Sequence, residues 1–271
     1  MTARFDRDTS VTAATPGVFE GRIDGGWWIE RGPNGGYVAA VFLRALTAAV
    51  VEAARTPRSL TVHYLAPPAE GPVRIETTVD RTGRLMTFVS GRMRQGDRLV
   101  ATAQAAFAPP LPGIEFSDLQ PPDVPRPDAV PTLPPLADAP AMPMRQRYEQ
   151  RWAVGDPPFS GATQAVAGGW IRLDPAEGAK VTDHVLVAAL TDSWMPPIFT
   201  RIDARLGVPT IDLTIHFRAP MPPGDAGWFL VVFRSQMAAD GFVEEDGEVW
   251  GEDGRLLAHS RQLAVLLPPP G

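Results

Sequence analysis

Apolar residues follow two different rhythms along this chain. From Tyr37 to Leu46 they are nearly continuous, interrupted only by Arg44, and a helix that is apolar on almost every side must be enclosed by other structure. Strand-like runs follow at 59–66, 73–80, 85–94 and 98–107. They are separated by turn signals at Gly71-Pro72, Thr82-Gly83 and Gln95-Gly96-Asp97. The first half thus predicts one long helix followed by an antiparallel meander. A second apolar run, His184 to Leu190, opens behind the acidic Asp183, and Pro196-Pro197 is expected to interrupt or end it. Between the halves, residues 108–158 carry Pro109-Pro110, Pro121-Pro122 and Pro134-Pro135 and no sustained periodicity. This stretch is expected to be a linker.

The two halves also repeat in sequence. Leu60-Thr61-Val62-His63-Tyr64-Leu65-Ala66-Pro67 returns as Leu213-Thr214-Ile215-His216-Phe217-Arg218-Ala219-Pro220. Gly25-Gly26-Trp27-Trp28-Ile29 is echoed by Gly168-Gly169-Trp170-Ile171, and Asp97-Arg98-Leu99-Val100-Ala101 by Gly254-Arg255-Leu256-Leu257-Ala258. The spacing between matches widens along the chain, so the second copy carries extra residues around its helix. Two copies of one unit imply that each covers a surface the other leaves open. The expected division is 1–107 and 159–271 as the two units, with 108–158 joining them. A long helix wrapped by a curved antiparallel sheet, made twice, is an α+β double hotdog.

Composition narrows the chemistry. The 271 residues include no cysteine, which removes disulfides, thiolate metal sites and cysteine nucleophiles together. The net charge of −6 offers no general attraction to nucleic acid or an anionic membrane, and neither is expected as a partner. Nothing after Met1 has the form of a signal peptide, and Arg44 and Glu52 mark the most apolar stretch as buried helix. The expected location is the cytoplasm. Arg81, Arg84, Arg92, Arg94 and Arg98 crowd one region and read chiefly as a solvated sheet face. The histidines His63, His184, His216 and His259 lack metal-ligand spacing. There is no Gly-x-Ser-x-Gly elbow and no dinucleotide fingerprint, so no metal and no cofactor is expected.

Several of these motifs together resemble the acyl-CoA thioesterase II (TesB-like) family and its thioesterase-like relatives, which carry two hotdogs in one chain. They are Gly35-Gly36-Tyr37-Val38-Ala39 and the strand from Leu60 in the first half. In the second they are Thr191-Asp192-Ser193, Pro209-Thr210-Ile211-Asp212 and Ser260-Arg261-Gln262. The resemblance implies an acyl-CoA substrate, assembly into a homo-oligomer, and a water held by Asp192, Thr210 and Gln262. Those groups are chemically suited to hold and activate water, since a carboxylate accepts a proton, a hydroxyl donates and accepts, and an amide orients. At the start of the first helix, backbone N–H groups of Gly35, Gly36 and Tyr37, without partners inside the helix, are expected to hold the thioester carbonyl.

Each residue also has a reading without catalysis. Asp192 could cap a turn, Thr210 could be an ordinary strand residue, Gln262 could face solvent, and the glycines could serve a tight turn. The repeat helps to choose, because Pro57 and Ala105 stand where Thr210 and Gln262 stand in the other copy. Asp192 falls opposite the Gly35-Gly36 region. One water-activating site per chain is therefore expected. A non-catalytic acyl-CoA-binding protein and a hotdog hydratase or dehydratase are the alternatives. Trp27, Trp28 and Trp194 are candidates to shorten an acyl tunnel.

Overall fold

The computed structural model describes residues 3–132, 142–178, 180–203 and 206–268; Pro134-Pro135 lies outside them. The strands of the main sheet are β1 (Val11–Thr15), β2 (Val18–Ile23), β3 (Thr56–Tyr64), β4 (Gly71–Thr82), β5 (Thr87–Gln95) and β6 (Arg98–Ala108) in the first half. The second half supplies β7 (Tyr148–Val154), β8 (Ala165–Leu173), β9 (Thr210–Phe217), β10 (Phe229–Ser235), β11 (Phe242–Gly251) and β12 (Leu256–Val265). They form one antiparallel sheet in the order β1-β2-β4-β5-β6-β3-β9-β12-β11-β10-β8-β7. The order reads the same from either end once the two copies are exchanged.

The sheet's centre shows the repeat directly. In the β3–β9 pair, Thr61 lies opposite Thr214, its own counterpart, and the two hydroxyls are 3.0 Å apart. A pseudo-twofold axis therefore passes between them, and the two hotdogs join edge to edge at their middle strands. This pairing removes two open sheet edges.

One core runs through both units. Helix α1 (Gly35–Ala48) buries ten residues, from Gly36 to Leu46, and α2 (His184–Leu190) buries six. Both helices share a core with Leu60, Val62, Val89 and Ala105 of the first copy and Leu213, Ile215, Phe233 and Val249 of the second. Arg44, the one interruption of the apolar run, is held by Thr9 Oγ1 at 2.8 Å and by Asp6. Each helix starts behind an N-cap: Asn34 Oδ1 accepts from Tyr37 N at 2.9 Å, and Asp183 Oδ1 from Leu186 N at 2.8 Å.

Three sequence expectations change. The stretch read as a linker contains β7, an edge strand paired with β8 and the counterpart of β1. Its charged residues hid it, because Glu149 pairs with both Arg151 and Arg172 along this edge. The Gly-Gly-Trp echo is not a structural match. Gly25–Trp27 is a 3-10 turn capped by Asp24, and its counterpart is Pro175–Glu177, capped in the same way by Asp174. Gly168 and Gly169 lie within β8. The second helix stops at Leu190, before Pro196-Pro197, because Thr191 Oγ1 and Ser193 Oγ donate to the carbonyls of Ala188 and Leu190 at 2.8 Å. Such side-chain bonds compete with the helical ladder. Among the described residues no helix is long and apolar enough to cross a membrane.

Candidate active site

The early stop of α2 turns the chain toward the start of α1. Aligning the two N-caps, Asn34 and Asp183, places Leu43 opposite Asp192 in the repeat, so the pairing of Asp192 with Gly35-Gly36 is one of contact and not of equivalence. In the first copy the helix continues through Leu43. In the second it has ended, and the freed residue is a carboxylate facing the other copy's helix N-terminus.

Asp192 Oδ2 accepts from Asn34 Nδ2 at 2.9 Å and from Gly36 N at 3.0 Å. Asn34 Nδ2 also donates to the Asp192 carbonyl at 2.6 Å, and the nearby Gly35 backbone favours the ionised carboxylate. Negative charge at a helix N-terminus is favourable. Close approach accounts for glycine at both positions. A Cβ at Gly36 would lie 2.4 Å from the Ala189 carbonyl oxygen, and one at Gly35 would lie 2.9 Å from Asp192 Oδ2 and 3.2 Å from the Tyr64 hydroxyl.

The remaining partners come from adjacent strands of the second copy. Gln262, buried on β12, donates from Nε2 to Asp192 Oδ1 at 3.3 Å and accepts through Oε1 from Thr210 Oγ1 at 2.9 Å. Its Nε2 also donates to Glu245 Oε1 on β11 at 2.5 Å. The three residues expected from sequence are thus linked in one hydrogen-bonded chain, Thr210 to Gln262 to Asp192. Burial pushes the Asp192 carboxyl up to about 6, against the lowering effect of bonds from Gly36, Gln262, Gly35 and Asn34. Burial, with the nearby Asp192 charge, also pushes Glu245 well above the usual carboxylate range.

The expected carbonyl-holding donors are not free. The N–H of Gly36 is engaged by Asp192, that of Tyr37 by its own N-cap, Asn34 Oδ1, and the Gly35 backbone lies beside the same carboxylate. The helix N-terminus is satisfied by the other copy's carboxylate, which takes the place sequence reasoning had given to substrate. The Tyr37 side chain is structural: its hydroxyl donates to Asp8 O at 2.7 Å, and its ring stacks on Trp27 at 5.2 Å. Trp27 is accordingly core. Trp194, two residues from Asp192, packs against Trp152 at 5.7 Å, and its buried indole N–H has no hydrogen-bond partner among the described residues.

Two members of the cluster escaped sequence reasoning. Asn34 stood inside the glycine motif, where its place before an apolar run signals an N-cap, but its second bond to Asp192 is a contact between copies. Glu245 hid in the acidic run Glu244-Glu245-Asp246. Alternation with Val243, Gly247 and Val249 puts it on the inward face, opposite Gln262 in register. Arg92 and Arg94 line an open groove of about 730 Å³ on the outward face of the first unit, with Glu76 among them. Among the described residues no group of histidines and carboxylates is arranged to hold a metal.

Known proteins with this architecture support a family assignment. The family models for the N-terminal and C-terminal domains of acyl-CoA thioesterase match residues 23–108 and 126–266. Uncharacterised proteins of Mycobacterium tuberculosis and Mycobacterium bovis are 26% identical over 272 residues, covering 92% of this chain and 91% of theirs. A conserved Alicyclobacillus acidocaldarius protein of unknown function with a hot dog fold superposes with a TM-score of 0.89 at 30% identity, over 100% of both chains. Acyl-CoA thioesterase II TesB2 of Mycobacterium marinum shares the fold, with a TM-score of 0.77 at 18% identity over 98% of this chain and 99% of that one. With both halves matched in order, the chain belongs to the acyl-CoA thioesterase family and is, by family and double-hotdog fold, a thioester hydrolase.

Proposed function

We propose that the chain hydrolyses acyl-CoA thioesters by attack of a water held between Asp192 and Thr210, with Gln262 fixing the two groups relative to each other. One observation carries this reading: the Gln262 amide bonds both residues at once and decides which atom of each stays available. Asp192 Oδ2 already has two donors, so Oδ1, with a single long bond, is the oxygen that receives the proton. Thr210 commits its hydrogen to Gln262 Oε1. Toward water its hydroxyl is an acceptor, and the pair can hold both water hydrogens while the oxygen lone pair faces the thioester.

The step then balances simply. The water oxygen bonds to the carbonyl carbon as its proton passes to Asp192. Collapse of the adduct breaks the C–S bond, and the proton goes from Asp192 to the departing thiolate, leaving free acid and coenzyme A. A thioester is reactive enough for a positioned water and a base to suffice. A base with its pKa at about 6 is mostly ionised at neutral pH and still accepts a proton readily.

Release of coenzyme A thiol from a panel of short, long, branched and aromatic acyl-CoAs tests the proposal. Binding of acyl-CoA without thiol release from any of them would mark a non-catalytic binding protein, and hydration of a 2-enoyl-CoA without hydrolysis would mark a hydratase. Because the ionised carboxylate is the active form, kcat/KM is expected to rise with pH through about 6 and level off above it. A profile flat from about pH 5 to about pH 8 would remove Asp192 as base. Thr210→Val keeps the shape and loses the hydroxyl, so turnover should fall about tenfold to a hundredfold, whereas Thr210→Ser should stay near wild type.

A further inference from the structure

Glu245 has no part in the reaction just described, yet it is buried at 9% exposure beside the residues that do. Its Oε1 receives a 2.5 Å bond from Gln262 Nε2, the same nitrogen that donates to Asp192 at 3.3 Å. Gln262 therefore has both amide hydrogens directed at carboxyl groups and its carbonyl directed at a hydroxyl. If the amide were turned over, its oxygen would face two carboxyl oxygens and its NH2 would face a hydroxyl already able to accept. The ionised Asp192 carboxylate opposes the turned-over form, and the bond to Glu245 Oε1 holds the amide in the orientation that faces both partners.

We propose that Glu245 is a positioning residue of this site: by accepting the second N–H of the Gln262 amide it locks the orientation that faces Asp192 and Thr210 together. The assignment rests on the reading of Asp192, Thr210 and Gln262 given above. The repeat supplies the comparison within the same chain. Gln262 lies in register opposite Glu245 and Leu213, and in the first copy Ala105 lies opposite Val89 and Leu60. Where glutamine has become alanine, the glutamate has become valine, and both are buried in the core. The polar pair is present together or absent together. Glu245 is also suited to act as a neutral acid, since burial and the Asp192 charge both disfavour its ionised form. A neutral carboxyl accepts the amide bond without adding a second negative charge beside the base.

The test is a kinetic double-mutant cycle on the full chain. Glu245→Val introduces the residue the first copy carries at this position. Its kcat should fall about tenfold or more, with KM changed less than about twofold, because an amide free to turn misplaces the base and hydroxyl but not the substrate. Glu245→Gln, which keeps an oxygen acceptor of the same reach, should restore kcat to within about threefold. Combining Glu245→Val with Gln262→Ala should be no slower than Gln262→Ala alone, since a residue acting through Gln262 has nothing left to position. Should Glu245→Val not fold, Glu245→Ala carries the same comparison. Wild-type kcat in a folded Glu245→Val protein, loss of kcat in a folded Glu245→Gln protein, or multiplying losses in the double variant would each overturn the assignment. Asp192→Asn assayed alongside separates the two ideas. If it is inactive while Glu245→Val is unimpaired, only the role of Glu245 falls; if it keeps full turnover, the water-activating site itself is elsewhere.

Discussion

Asp192→Asn is expected to lose about 10²- to 10⁴-fold in turnover, the range of general-base assistance, while melting at a higher temperature than wild type at pH 8. The two effects have one cause. Burial raises the carboxyl from its ordinary 3.8 to about 6, so the folded state binds this proton more tightly than the unfolded chain does. Wild-type stability should therefore decline as pH rises from about 4 to about 6 and then stay level, with the ionised side chain imposing a constant cost. A gap of that size corresponds to about 3 kcal/mol, reduced toward 1–2 by the solvent contact Asp192 retains. Asparagine escapes this cost but turns an NH2 toward Gln262 Nε2, which offsets part of the gain. The net expectation is about 1 kcal/mol of stabilisation at pH 8 and none at pH 4, measured by denaturation at both values. An active variant would place the chemistry elsewhere, and a variant destabilised at pH 8 would show that Asp192 serves the fold more than the reaction. The first copy offers no second base, since Leu43, Pro57 and Ala105 occupy the corresponding positions, so residual activity near half of wild type is not expected.

Much of this arrangement is legible in the residues, and the parts that are not share a physical reason. The run from Tyr37 to Leu46 has no polar face to misread, and the strand from Leu60 meets its own repeat across the sheet centre. Asp192, Thr210 and Gln262 could be selected by resemblance to a family, and they are hydrogen-bonded to one another. What composition concealed was relation between copies. Gly35 and Gly36 look like donors waiting for a ligand, because nothing in their neighbourhood of the chain reveals that Asp192, far along it, already lies against them. Strand β7 looks like linker because an edge strand can be polar and lie among prolines. The Gly-Gly-Trp echo misled for the opposite reason: similar letters stand in a turn in one copy and within a strand in the other, while the true counterparts share only an aspartate cap. Short identity is weaker evidence of equivalence than shared register.

Gly36→Ala is expected to damage the fold itself, in contrast to its neighbour. The added Cβ would stand 2.4 Å from the Ala189 carbonyl oxygen and 3.1 Å from both the Ala189 carbonyl carbon and Asp192 Cβ. These are mainly backbone atoms at the end of α2, which cannot turn aside as a side chain does. Relief requires the two helices to separate inside a core that both bury, and overpacking of this kind costs about 1–3 kcal/mol or more. Alanine's better helix propensity returns at most about 1 kcal/mol, so the clash wins. Separation also lengthens the bond from Gly36 N to Asp192, and the charged group then loses part of its support. The expected loss is about 3 kcal/mol, or roughly 6–12 °C in Tm for a chain of this size, together with most of the activity. Gly35→Ala presses instead on Asp192 Oδ2 and the Tyr64 hydroxyl at 2.9 and 3.2 Å. Those are side-chain atoms, which shift at less cost than backbone, so its Tm should stay within a few degrees of wild type while turnover drops as the carboxylate swings away from Gln262. Thermal denaturation and thiol-release kinetics on the two variants resolve the pair: if Gly36→Ala melts with wild type, the close approach of the helices does not set the position of Asp192, and if Gly35→Ala keeps full turnover, the carboxylate does not need the orientation that glycine permits.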